Sequence, residues 1–196
     1  MTKALLLIDV QKEYFSDGKL ALPGMEAALE PIEALIAHFR ASHQLIVFVQ
    51  HVALDPHPEA PFAAYAAGTE LCDRLQPEPQ DALVAKSSPN AFVRSWLQAR
   101  LQADGVTELV IAGAMTQTCI DSTARGALDF GYTVTIASDA CVAGPLEWEG
   151  KAISVAQVQK TFLAALATLM PVKTVAEITA TGSEPQAPAA EEGPAA

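Results

Sequence analysis

The 196 residues carry 51% hydrophobic and 18% charged side chains, a composition that suits one globular domain with a continuous core and excludes a peptide hormone or a bare helical hairpin. Twelve Lys and Arg against 23 Asp and Glu leave a net charge of -11, so a phosphate backbone is repelled and nucleic acid is not expected as a partner. Three cysteines, Cys72, Cys119 and Cys141, are an odd count without the density of a disulfide-stapled secreted domain, and they predict a reduced, cytoplasmic setting.

The first apolar run, residues 4–10, is far shorter than a bilayer span and is broken by Asp9, so neither a signal peptide nor a membrane helix is expected. Further strand-like runs follow at 45–51, 82–85, 108–112, 133–137 and, more weakly, 172–175. Helical patterns lie between them. Residues 25–42 place Leu29, Ile32, Leu35, Ile36 and Phe39 at three- and four-residue spacing, with Pro31 predicting that the main helix begins near it. Residues 93–103, 119–130 and 154–170 complete the set. The alternation predicts a doubly wound parallel α/β sheet in three layers, with right-handed crossovers and a ligand site beyond the carboxyl ends of the strands. Residues 53–80 fall outside the rhythm. They are rich in Pro and Ala with a short helical candidate at 69–75, and a connection that long predicts a lid or binding loop. Residues 181–196 contain Pro, Ala, Glu and Gly with nothing to bury, which predicts a disordered tail after a domain spanning 1–180.

Several motifs are absent: no Gly-x-Gly-x-x-Gly after the first strand, no Gly-Lys-Ser/Thr phosphate loop, no His-Glu-x-x-His, no Cys-x-x-Cys and no Gly-x-Ser-x-Gly. Nucleotide binding and serine-hydrolase chemistry therefore lose ground. What remains stands where strands end. Asp9 closes an apolar run, and burying it without a partner costs several kcal/mol, roughly, so it must be paired, hydrogen-bonded or used. Lys86 follows the third strand. Cys119 follows the fourth, at the expected start of a helix that Thr116 or Thr118 would cap. An acid, a base and a thiol converge on one rim. A helix N-terminus and a nearby cation lower a thiol from its free pKa of about 8.5, which predicts a thiolate near neutral pH. The same residues also suit a structural ion pair beside a small core cysteine.

The surroundings of these residues resemble a known family. Ile8-Asp9-Val10-Gln11 with Phe15 following, Lys86 with Ala91-Phe92 following, and Gly113-Ala114-Met115-Thr116-Gln117-Thr118-Cys119 are similar in order and spacing to the isochorismatase-like cysteine hydrolases. Thr123-Ala124-Arg125-Gly126-Ala127, Gly131-Tyr132-Thr133-Val134 and Ser138-Asp139-Ala140-Cys141 extend the resemblance from Lys3 to about residue 180. It implies a six-stranded parallel sheet, a catalytic triad of Asp9, Lys86 and Cys119, and a non-proline cis peptide between Ala114 and Met115. It also implies an oxyanion hole made by the backbone N–H groups of Met115 and Cys119. The implied reaction is hydrolysis of a C–N bond in a small amide, carbamoyl or ureido compound through a thioester on Cys119, with no cofactor.

Nicotinamidases of this family resemble one-Asp, two-His metal sites after the second strand. Asp55-Pro56-His57-Pro58 is a partial echo, but no histidine follows His57, so the segment is taken as a proline-stiffened turn and no metal is expected. Isochorismatases proper cleave a vinyl ether and generally lack the cysteine, which makes ether cleavage the alternative and acyl chemistry the favoured reading. A catalytically silent binding or assembly subunit is the second alternative. Substrate-binding candidates are Gln11, placed to orient Asp9 or meet substrate, Phe15, His51, Phe62 and Trp148 as pocket walls, and Gln159 near the start of the last long helix. Cys141 is taken as structural. The resemblance further implies a homodimer or homotetramer, with the 53–80 loop and the Trp148 region at the interface or lid.

Overall fold

The computed structural model of the protein describes residues 2–54 and 57–180; the expected tail at 181–196 lies outside the described residues. Six strands form one parallel sheet: β1 (Thr2–Ile8), β2 (Leu45–His51), β3 (Ala82–Lys86), β4 (Val106–Ala114), β5 (Thr133–Val142) and β8 (Val172–Lys173). Their order is β3-β2-β1-β4-β5-β8. A separate antiparallel hairpin, β6 (Leu146–Trp148) with β7 (Lys151–Ile153), follows β5 and was not foreshadowed by any apolar alternation.

The period-two geometry of a strand explains why the central runs are apolar throughout: β1, β2 and β4 feed two cores, whereas the edge strand β3 buries one face. Leu5, Leu7, Ile46, Phe48, Val110 and Ala112 meet α1 (Met25–Ala41) and α5 (Val175–Ala180) on one face. Leu6, Ile8, Val47, Val49, Leu109 and Ile111 meet α2 (Leu97–Ala103), α3 (Asp121–Asp129) and α4 (Val155–Ala167) on the other. Helix α4 starts on a full capping box, in which Ser154 and Gln157 satisfy each other's backbone N–H.

Three sequence expectations change here. Helix α1 begins at Met25 and carries Pro31 inside it, because the buried stripe from Met25 and Ala28 to Phe39 outweighs one missing N–H. The helix expected over 93–103 shortens to α2, with turns before it. The candidate helix at 69–75 is absent: a 3-10 turn covers Ala67–Thr69, and Leu71 instead makes an antiparallel bridge to Gln11. The 53–80 connection is fastened rather than free. Ala53 N–H donates to Phe62 O at 2.8 Å, Lys12 N–H to Glu70 O at 2.9 Å and Cys72 N–H to Val10 O at 3.0 Å.

Strand order reverses direction between β1 and β4, so the crevice of such a sheet opens beyond their carboxyl ends. Asp9 leaves β1 there, and the segment carrying Cys119 leaves β4 beside it.

Candidate active site

Asp9 is the residue after β1 and takes a left-handed backbone, with φ of 52°. Its N–H still continues the ladder to Val49 O at 2.9 Å, so the turn comes after the strand has been anchored. On the neighbouring strand Gly113 has φ of +121°, and a Cβ there would lie 2.0 Å from Ile8 O. Only glycine lets the ends of β1 and β4 approach this closely. The Ala114–Met115 peptide that follows is cis.

Cys119 sits in a π-helical turn, Thr116–Ile120, which runs into α3. Neither threonine caps it. Met115 holds the cap position without a side-chain capping bond, and its carbonyl accepts from Thr118 and Ile120 N–H at 3.0 and 3.2 Å. Thr116 instead donates its hydroxyl to Gln159 Oε1 at 2.8 Å, and Gln159 Nε2 donates to Cys141 O at 2.8 Å. Gln159 therefore ties the turn to α4 and the end of β5. Both ends of its amide are spent on protein, which corrects the expectation that it meets substrate.

The three candidate catalytic side chains do come together. Lys86 Nζ donates to Asp9 Oδ2 at 2.7 Å and to Cys119 Sγ at 3.3 Å, and its third close neighbour is His51 Nδ1 at 3.1 Å. The Asp9–Lys86 ion pair is wholly buried, with both side chains 0% exposed. Cys119 retains 6% exposure. Asp9 Oδ1 accepts no hydrogen bond among the described residues.

Burial raises the Asp9 carboxyl above its ordinary range even though Lys86 opposes this. Burial and then the Asp9 charge push the Cys119 thiol up to about 12, again against the pull of Lys86. The expected thiolate near neutral pH is thus overturned. Desolvation outweighs the cation, and the thiol keeps its proton until a base removes it. Asp9, Lys86 and Cys119 carry no net charge with the proton on sulfur and none with it on the carboxylate, so the transfer relocates charge inside a neutral cluster.

His51 closes β2 and is the register partner of Lys86. Burial, then Lys86, lowers its imidazole to about 4, so it is neutral at physiological pH. Phe62, at φ of 58°, meets the His51 ring edge-on at 5.3 Å and the Tyr14 ring at 5.1 Å. Tyr14 is a residue that sequence reading missed. It is 3% exposed, and burial followed by the Asp9 and Cys119 charges raises its phenol. It sits in a 3-10 turn, Lys12–Tyr14, too short to show a period. Phe15, expected as a wall, packs against the cluster that holds Tyr14 and Phe62 and lines a groove with Leu22, Pro23 and Met25.

Gln11 is 0% exposed, and its side-chain hydrogen bonds go to backbone rather than to Asp9. Its Nε2 donates to His51 O at 2.9 Å and Thr69 O at 2.7 Å, and its Oε1 accepts from His51 N–H at 2.8 Å. It clamps backbone, which corrects the expected role beside Asp9. Trp148 lies on the β6–β7 hairpin at 70% exposure and is not brought to the triad within this chain.

One Asp9 oxygen, one His51 nitrogen and Cys119 Sγ lie within 4.8 Å of one another, a set that could ligate a metal. The Lys86 ammonium is hydrogen-bonded among these same three groups, so a second cation would have to displace it. Asp55 of the partial metal motif lies outside the described residues, and His57 is exposed and accepts the Glu59 N–H at 3.1 Å. Cys141 is buried, its thiol pushed up to about 12 by burial, with Sγ 3.8 Å from Ile111 O. No helix among the described residues is long and apolar enough to cross a membrane.

The Isochorismatase domain model matches residues 3–170. An isochorismatase family protein of Bacillus subtilis is 36% identical over 85% of this chain and 92% of its own length. A ureidoacrylate amidohydrolase of Acinetobacter baylyi is 30% identical over 74% of this chain and 72% of its own. A crystallised isochorismatase-type hydrolase from Oleispira antarctica superposes with a TM-score of 0.86 at 38% identity, covering 91% of this chain and 96% of that one. With the parallel sheet, its order and these matches in agreement, the chain belongs to the isochorismatase family of hydrolases.

Proposed function

We propose that this protein hydrolyses a C–N bond of a small amide, carbamoyl or ureido compound, with Cys119 as nucleophile. The observation that carries the reading is the placement of Lys86 Nζ between Asp9 Oδ2 and Cys119 Sγ inside a buried, neutral cluster. Similarity to an amidohydrolase supports the bond class.

As substrate enters, Asp9 takes the thiol proton through a carboxylate whose Oδ1 is unoccupied, and Sγ forms a bond to the carbonyl carbon. Charge moves from Asp9 to sulfur and then to the carbonyl oxygen, with Lys86 in hydrogen-bond range of the first two. The tetrahedral oxyanion is held by the N–H groups of Met115 and Cys119 at the mouth of the π-helical turn. Asp9 gives its proton to the departing nitrogen as the C–N bond breaks, leaving a thioester. Water then loses a proton to Asp9, attacks the thioester carbon and releases the acid; Asp9 returns that proton to sulfur. Each step is a one-proton exchange at Asp9, so a raised carboxyl pKa suits both its basic and acidic turns.

The test is an ammonia-release screen over nicotinamide, N-carbamoyl amino acids, biuret, ureidoacrylate and short amides, with Cys119→Ala as control. Turnover of one class, its loss in Cys119→Ala and a trapped acyl mass on the Cys119 peptide are expected. An acyl adduct on Cys72 or Cys141 with Cys119→Ala fully active would overturn the reading.

The working unit is proposed to be a homodimer or homotetramer. Trp148 at 70% and Leu146 at 38% exposure leave an apolar hairpin face that a second copy would cover.

A further inference from the structure

Lys86 reaches the triad from the edge of the sheet. It closes β3, and β2 lies between β3 and β1, so its side chain must cross the end of β2 to meet Asp9. The residue at that crossing is His51, the register partner of Lys86. An ammonium has three N–H donors and no acceptor capacity. Here three groups surround it: Asp9 Oδ2 at 2.7 Å, His51 Nδ1 at 3.1 Å and Cys119 Sγ at 3.3 Å. Lys86 is 2% exposed, so water is a poor substitute for any of them.

We infer that His51 is a fourth, positioning member of the site: a neutral imidazole that accepts the third Lys86 N–H through Nδ1 and so fixes the ammonium against Asp9 and the Cys119 sulfur. This rests on the proposed role of Cys119 as nucleophile. An imidazole that accepts at Nδ1 carries its proton on Nε2, so the contact also fixes the tautomer. The rest of the structure holds His51 for this task. Gln11 grips its backbone on both sides, accepting from the N–H at 2.8 Å and donating to the carbonyl at 2.9 Å. Phe62 meets the ring edge-on at 5.3 Å and sets its plane. The ionisable groups facing His51 are Asp9 from the end of β1, Lys86 from β3 and Cys119 from the π-helical turn, with Tyr14 behind Phe62. Low burial-driven basicity keeps the ring in the accepting form across the physiological range.

Removing the imidazole leaves one N–H of a buried ammonium without an acceptor, and it weakens the cation that supports charge on sulfur. An asparagine places Oδ1 where Nδ1 stood and restores the acceptor without restoring a ring. The test needs no substrate. Iodoacetamide alkylation of Cys119, read by peptide mass spectrometry from pH 6 to 11, is compared in the parent, His51→Ala and His51→Asn, with thermal melts confirming folding. His51→Ala is expected to alkylate about tenfold more slowly at each pH from 8 to 10, as for a thiol about one pKa unit higher, the equivalent of about 1.4 kcal/mol. His51→Asn is expected within about threefold of the parent. Parental alkylation in a folded His51→Ala protein would overturn the inference, as would a folded His51→Asn no better than alanine. A second measurement uses the unaltered chain: nitrogen-15 NMR of the His51 ring should show the Nε2–H tautomer between pH 6 and 9, and an Nδ1–H tautomer would overturn the inference whatever the variants do. Failure of every amide in the ammonia screen, with these alkylation results as expected, would sink the proposed reaction and leave the role of His51 standing.

Discussion

At the scale of single residues, the buried pair of Asp9 and Lys86 is the feature that makes the site and taxes the fold. Replacing Lys86 with Met leaves a carboxylate in a dry site, so a loss of about 3–5 kcal/mol in urea unfolding at pH 7 is expected, with most of it recovered when Asp9→Asn is added. The pH sign follows from the direction of the Asp9 shift. Its folded pKa is raised above the ordinary 3.8, so the favourable protonated form persists below that value and stability declines as pH rises through the folded value. The Lys86→Met deficit should therefore shrink in acid. His51 has the opposite sign. Its folded value of about 4 lies below the ordinary 6.5, so its contribution is complete above 6.5 and is lost as pH falls towards 4. The melting temperature of the parent is expected to fall more steeply over that window than that of His51→Asn, and equal slopes in the two proteins would contradict the assignment. Asp9 and Lys86 were legible in the sequence because each is a polar group at the end of an apolar run, and Cys119 because the segment leading to it resembles the family's. Tyr14 was not, since a three-residue turn has no period, and Gln11 and Gln159 were misassigned because sequence cannot say that a backbone carbonyl will claim their amides.

At the scale of elements, β1 to β5 were legible from their aliphatic runs, although β5 continues past residue 137 to Val142 through a shift of register against β4. The hairpin of β6 and β7 escaped because three-residue strands with exposed side chains carry no hydrophobic pattern. Helix α1 was placed but its start was misjudged, as tertiary burial outweighed the proline. Pro31→Ala restores an N–H to the carbonyl of Ala27. It is expected to stabilise by about 1–2 kcal/mol, less than the full helix penalty because the unfolded chain also gains freedom. For a domain of this size that is roughly a 2–8 °C rise in melting temperature. Gly113→Ala should do the reverse. A Cβ 2.0 Å from Ile8 O at a positive φ forces β1 and β4 apart, and a loss of about 3 kcal/mol or more is expected, with Cys119 alkylation changed as well because the π-helical turn moves with the strand. Unchanged stability in that variant would mean that the ends of these strands are not held this close together.

At the scale of the whole molecule, the charge of -11 turns out to be unevenly meaningful. Glu184, Glu191 and Glu192 fall in the 181–196 segment, which leaves -8 on residues 1–180, while the buried trio that matters chemically sums to zero. Exposed charge should therefore tune solubility more than chemistry. Light scattering at micromolar concentration is expected to give an integral multiple, two or four, of the 20.6 kDa chain mass. Trp148→Ser is expected to reduce that multiple, and a monomeric parent would count against the assembly.

One amide side chain sets a rule for anyone who would change what this scaffold accepts. Gln11 joins the exit of β1, the exit of β2 and the backbone at Thr69, so the 53–80 connection is sewn to the strand ends along one edge. A loop transplanted between residues 54 and 61 leaves the Gln11 bonds, the Leu71 bridge, the Cys72 bond and the Phe62 ring in place and can vary in length and character. A graft that extends through residues 69–72 disturbs the Gln11 bond to Thr69, the Leu71 bridge and the Cys72 bond together, beside the residue that grips the His51 backbone. Specificity and activity are separable on one side of that seam and inseparable on the other.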